Sequence, residues 1–189
     1  MKLSGRGTIS EAEVGSVTEY LLVDGYNMIY AWKDLAALAE DNLDGARFRL
    51  QEILSNYQGM CGCTLILVFD GYKVKGNPGE VIKYHNIYVV YTKEAETADQ
   101  YIEKTTGQLA RSARVRVATS DRLEQVIVLG QGAIRVSARE LEREIEEARQ
   151  QLEKEYLEPL KRRNPLIDNL SPEMAAYLDQ LRLKETKDQ

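Results

Sequence analysis

Tyr20-Leu21-Leu22-Val23-Asp24-Gly25-Tyr26-Asn27 is a short apolar run closed by an acid, a glycine and an asparagine. The same construction recurs along the chain. Thr64-Leu65-Ile66-Leu67-Val68-Phe69 ends at Asp70, and Val115-Arg116-Val117-Ala118-Thr119-Ser120 ends at Asp121. Ile87-Tyr88-Val89-Val90-Tyr91-Thr92 is followed by a segment carrying Asp99, and Ala133–Ser137 is a weaker fifth run. Short, nearly continuous β-branched runs are what strands covered on both faces look like. Between them the period changes to that of a helix. Leu43, Ala46, Leu50, Ile53, Leu54 and Tyr57 recur at three- and four-residue spacing, with Gly59 as the expected stop. Residues 97–112 carry a second stripe, and 121–129 form a short third helix closed by Gly130. Alternating strands and helices predict an α/β fold in three layers, a parallel central sheet with helices on both faces.

The flanks differ in composition. Residues 1–19 are polar and Gly-rich and are expected to be a flexible extension. The strand-helix alternation occupies 20–145, and 146–189 is expected to be a helical extension. Its first helix starts earlier, near Ser137, with Leu141, Ile145, Ala148, Leu152 and Tyr156 on one face, and ends or kinks at Pro159. A last helix is expected from Ser171-Pro172-Glu173 to about Lys184. Only about two clean heptads are present where a coiled-coil dimer needs three or four, so a monomer is favoured.

In an open parallel sheet the carboxyl ends of the strands share one edge, and ligands bind in the crevice outside it. Asp24, Asp70, Asp99 and Asp121 should therefore converge there. Gathered carboxylates repel one another unless a cation sits among them, and oxygen-only ligands suit Mg²⁺ or Mn²⁺. Glu96 and Glu103, one turn to either side of Asp99, can share its face. Each acid also has a plainer reading. Asp121 and Asp99 suit helix N-termini, and Asp70 before Gly71 suits a turn. Asp24-Gly25-Tyr26-Asn27 is harder to reduce to a turn.

These residues carry a resemblance. Leu22-Val23-Asp24-Gly25-Tyr26-Asn27-Met28-Ile29, Val68-Phe69-Asp70, Thr92-Lys93-Glu94-Ala95-Glu96-Thr97-Ala98-Asp99 and Ala118-Thr119-Ser120-Asp121 resemble the NYN domain of the PIN-like nuclease group. Gly130-Gln131-Gly132-Ala133-Ile134-Arg135, with Ser137-Ala138-Arg139-Glu140-Leu141, is similar to the YacP branch, and the likeness spans roughly residues 20–145. It implies a PIN-like nuclease domain over that span and metal-dependent cleavage of RNA. It also implies an mRNA substrate and a ribosome partner, since the branch includes a ribosome-associated endoribonuclease. By position, Asp24, Asp99 and Asp121 match the family's metal-binding acids, Asp70 its second-strand acid and Asn27 its motif asparagine. Glu96 is expected to help hold the metal. Two positions depart from the branch: Gln100 stands where an acid is expected, and Gly71-Tyr72 where a small residue and a histidine are common. Gln100 keeps a second reading open, a non-catalytic RNA- or ribosome-binding module. An aspartyl-nucleophile phosphatase would need an acid two residues after Asp24, where Tyr26 stands.

Charge bears on the substrate. The chain of 189 residues has a net charge of −5, which argues against an indiscriminate nucleic-acid binder. Residues 20–137 carry 13 basic and 14 acidic side chains, and setting aside the four aspartates leaves 13 against 10. Lys73 and Lys75, near Tyr72 and Tyr84, either hold RNA or belong to a solvated loop. Lys93, Arg122, Arg135 and Arg139 are further candidates for phosphate contacts, and Tyr26 is either core or a base-stacking ring. One histidine, His85, leaves little scope for Ser–His or Cys–His catalysis. Cys61 and Cys63 alone cannot build a structural zinc site, and reduced thiols fit a cytoplasmic protein. No stretch approaches the roughly 18 apolar residues of a membrane helix, and the first residues lack a signal peptide's apolar core.

Overall fold

The computed structural model describes residues 18–71, 79–93 and 95–157. The expected N-terminal extension, Lys73, Lys75, Pro159 and the last helix lie outside these residues, apart from Thr18 and Glu19 at the extension's end. The chain divides into two compact units, Met1–Ile145 and Glu146–Gln189.

Six strands form one sheet: β1 (Glu19–Asp24), β2 (Thr64–Phe69), β3 (Glu80–Tyr84), β4 (Ile87–Tyr91), β5 (Arg114–Ala118) and β6 (Ile134–Val136). Their order is β3-β4-β2-β1-β5-β6. All neighbours are parallel except β3 and β4, which form an antiparallel pair. The helices are α1 (Gly25–Ala31), α2 (Lys33–Asp41), α3 (Leu43–Cys61), α4 (Ala98–Leu109), α5 (Arg122–Gly130) and α6 (Ala138–Leu152). After α6 the chain continues as a π-helical turn, Glu153–Leu157.

Alternation along the central strands sorts their side chains to two faces. Leu22, Val68, Val90 and Val117 pack with Ala98 and Ile102 of α4 and Val128 of α5. Leu21, Val23 and Leu67 are buried on the other side of the pleat, and α1 and α3 contribute the fully buried Met28, Ile29, Leu50 and Leu54. Each such aliphatic contributes roughly 1.5–3 kcal/mol of transfer free energy. The mixed α/β architecture with a mostly parallel sheet is the one the sequence predicts.

Several details differ from the sequence reading. Helix α3 passes through Gly59 and stops at Gly62, whose φ of 67° lets its amide close on the Gln58 carbonyl. Helix α5 likewise includes Gly130, and the chain turns instead at Gly132, φ 88°. The sequence pattern predicts neither α1, α2 nor β3. No residue of β3 is buried, so this edge strand lacks the apolar run that marks the others.

Candidate active site

Because β1, β2 and β5 are parallel and in register, their carboxyl ends open on one edge. Asp24 is the last residue of β1 and also the N-cap of α1. Its Oδ1 accepts from the Asn27 amide at 2.9 Å, and its Oδ2 accepts from Asn27 Nδ2 at 2.7 Å. The motif asparagine thus fixes both oxygens of a carboxylate that is only 3% exposed. Gly25 is required for the same approach, since a Cβ there would run into the Phe69 ring. Asp70, just past β2, accepts from the Ala98 amide at 2.6 Å and so anchors the start of α4. That places Asp99, in the first turn of α4, beside Asp24.

The third member of the group is Glu124. Carboxylate oxygens of Asp24, Asp99 and Glu124 all lie within 4.8 Å of one another. Glu124 is in the first turn of α5 and 3% exposed, and neither of its oxygens has a well-formed hydrogen bond. Asp121 caps the same helix, its Oδ1 accepting from the Leu123 amide at 2.6 Å and the Glu124 amide at 3.3 Å. Asp121 lies outside the close trio, but its charge acts on both Asp99 and Glu124.

The electrostatics follow from burial and crowding. Burial first, then the charges of Asp99 and Asp70, push Asp24 up to about 6 despite the bonds from Asn27. Burial and the charges of Asp24, Asp99 and Asp121 push Glu124 up to about 8, against a lowering effect of the nearby Thr119. Asp99 is raised by burial and by Asp121 and Asp70. Among the described residues no Lys or Arg forms an ion pair with these acids. A buried carboxylate with no donor is costly unless it is protonated or faces a cation. Three convergent carboxylates with oxygen-only donors fit a hard divalent ion. The acidic cluster can therefore bind a metal.

The other residues singled out in the sequence are placed as follows. Glu96 is half-buried and precedes α4, because Thr97 caps that helix, so helical spacing does not set its position. Gln100 completes a capping box with Thr97, its Oε1 accepting from the Thr97 amide at 3.2 Å. The residue that departs from the branch thus has a structural task. Lys93, Arg122, Arg135 and Arg139 are exposed, and Arg135 lies 3.9 Å from Glu140. Tyr26 is core: it is buried edge-on against Phe69, and its hydroxyl accepts from Arg47 Nε at 2.9 Å and Nη2 at 2.7 Å. Sequence reasoning missed Glu124. Its one signal was the spacing Asp121-x-x-Glu124, which puts an acid in the first turn of the helix after the fourth aspartate.

The fold and site define a class, an α/β protein whose mostly parallel sheet gathers acids at its carboxyl edge, the buried Asp24 and Glu124 among them. The model of the YacP-like NYN domain matches residues 21–183, and the chain belongs to that family. It is 44% identical over 137 residues to the uncharacterized protein YacP of Bacillus subtilis (strain 168), covering 72% of this chain and 80% of that one. The crystal structure of Rae1 (YacP) from Bacillus subtilis superposes with a TM-score of 0.65 at 37% identity, covering 89% of this chain and 97% of that one. The crystal structure of a mutant of that protein gives 0.66 at 35% identity, over 87% and 99%. Membership and the structural match suggest a nuclease-like, RNA-related function and divalent metal use. Among the described residues no helix is long and apolar enough to cross a membrane.

Proposed function

We propose that this protein is a cytoplasmic Mg²⁺- or Mn²⁺-dependent endoribonuclease that cuts RNA by water attack on the phosphodiester bond. The observation that carries the reading is the meeting of Asp24, Asp99 and the buried Glu124 within 4.8 Å, with neither Glu124 oxygen in a well-formed hydrogen bond. An ion held by these three would polarise the scissile phosphate and lower the pKa of the attacking water. The chain's own residues set up that site. Asn27 locks both oxygens of Asp24, Asp70 anchors the helix that carries Asp99, and Asp121 caps the helix that carries Glu124. No protein nucleophile is required, and His85 is an exposed turn residue with φ 49°. The exposed Lys93, Arg122, Arg135 and Arg139, with Lys73 and Lys75, are candidates for phosphate contacts. The family resemblance supports an mRNA substrate met on the translating ribosome. A near-neutral nuclease region favours such a partner-guided encounter over a tight grip on free RNA.

The test is to incubate the purified protein with a translated mRNA and with the same RNA alone, each with Mn²⁺, Mg²⁺ or chelator, and to map new 5′ ends. Metal-dependent ends carrying a 5′-phosphate are expected, and their restriction to translating ribosomes would establish that requirement. RNA or ribosome binding without any cut under all conditions would instead identify a non-catalytic module.

A further inference from the structure

At the opposite edge of the sheet, the end of α3 meets the start of β2 through Cys61-Gly62-Cys63. Gly62 adopts φ 67°, a conformation that side-chain-bearing residues rarely take, and the tight turn brings Cys61 Sγ and Cys63 Sγ to 2.8 Å. The two thiols are unequal. Cys61 is exposed and Cys63 is buried. The hydrogen bond from Cys63 holds the Cys61 thiol down to about 7, with Arg116 also lowering it, while the same interaction and burial push Cys63 up. An accessible, acidic thiol beside a shielded one is the arrangement of an attacking and a resolving cysteine.

We propose that Cys61 and Cys63 form a redox-active dithiol, oxidised reversibly to an intramolecular disulfide by low-molecular-weight disulfides. In the first step the Cys61 thiolate attacks one sulfur of RS–SR. A Cys61–S–S–R bond forms, and the other half leaves as RS⁻. With Cys61 no longer anionic, the main cause of the high Cys63 pKa is gone. Cys63 then gives its proton to solvent and attacks Cys61 Sγ. The Cys61–Cys63 bond forms, and the second RS⁻ leaves. Two electrons pass from the dithiol to the incoming disulfide, which is reduced to two thiols. The sulfurs need to close by only about 0.8 Å to reach bonding distance. The Cys-X-Cys ring is small, and strained disulfides have the more oxidising potentials of labile, regulatory bonds.

The experiment treats the reduced full-length protein with glutathione disulfide at neutral pH. It follows intact mass, free-thiol count and the disulfide-linked peptide. The wild type is expected to lose both thiols together and two hydrogens in mass, and dithiothreitol should restore it. Cys63→Ser, which keeps a donor to Cys61, is expected to stop at the mixed disulfide, and Cys61→Ser should leave Cys63 unreacted. The proposal is overturned if the wild type keeps both thiols, accumulates a stable mixed disulfide, or is cross-linked between chains. The wild-type mass alone decides these outcomes, even where a variant fails to fold.

Discussion

The two edges of the sheet handle charge in opposite ways. At the carboxyl edge, Asp24, Asp99 and Glu124 crowd together without a described cation, and all three are pushed toward protonation. Toward the amino edge, the half-buried Arg116 is matched. Its Nη2 donates to Glu144 Oε2 at 2.5 Å, its Nη1 lies 3.7 Å from Glu19, and Glu144 also accepts from the Tyr57 hydroxyl at 3.1 Å. There the charges complement one another within the fold and tie a strand to α6 and α3. Charge that the protein satisfies for itself is structural, whereas buried charge left unsatisfied marks a place prepared for something else.

Mutations should separate the two edges. The largest effect expected is from Asp24→Asn, which keeps a side chain of the same shape. Cleavage of RNA in Mn²⁺ should fall on the order of 10³-fold, from the loss of several kcal/mol of metal-derived stabilisation, with an unchanged circular dichroism spectrum. A variant that still cuts at the wild-type rate would remove Asp24 from the site.

Next comes Glu124→Gln, read by thermal or urea unfolding in chelator. Glu124 and Asp24 have folded-state pKa values raised to about 8 and about 6. The folded protein therefore holds more protons than the unfolded chain in the window between their ordinary and raised values. Stability contributed by the protonated acids is full below about pH 4 and is lost as pH rises through about 8. The glutamine variant should match wild type at low pH and exceed it by a few kcal/mol, on the order of 2–4, at pH 9. Divalent metal should raise the wild-type melting temperature and leave that of the variant nearly unmoved. Equal pH profiles for the two proteins would show that Glu124 is not held as described.

At the matched edge the signs reverse. Arg116→Met should destabilise the fold by roughly 1–3 kcal/mol, because Glu19 and Glu144 lose their partner, while metal-dependent cleavage, measured well below the variant's melting temperature, stays the same. A large loss of cleavage in a folded Arg116 variant would break the division between the edges. The smallest effect expected is from Asp121→Ala read as stability. Loss of the α5 cap should cost about 1 kcal/mol by urea titration.

Much of this was readable in the chain itself. The apolar runs before Asp24, Asp70 and Asp121 are strong signals, because strands buried on both faces cannot hide their apolar character. The acids could be assigned to one edge once the strands were taken as parallel. Harder cases have physical causes. β3 is an exposed edge strand, so its sequence is not constrained to be apolar. Helix α1 is begun by Asp24, whose carboxylate caps it, so one residue serves as strand end, helix cap and site acid. A sequence pattern assigns such a residue to one role at a time.

Helix α5 shows where the sequence stops. Leu123, Val126 and Leu129 are exposed while Glu124 and Val128 are buried. Hydrophobicity alone would turn this helix the other way. The sequence by itself determined the alternation of strands and helices, the parallel sheet and the aspartates at its carboxyl edge, because backbone period and apolar runs are local. Only the tertiary structure decided that Glu124 meets Asp24 and Asp99 while Asp121 caps. The rotation of a helix depends on packing and cap geometry summed over distant parts of the chain, and a buried acid reads in sequence like a solvated one.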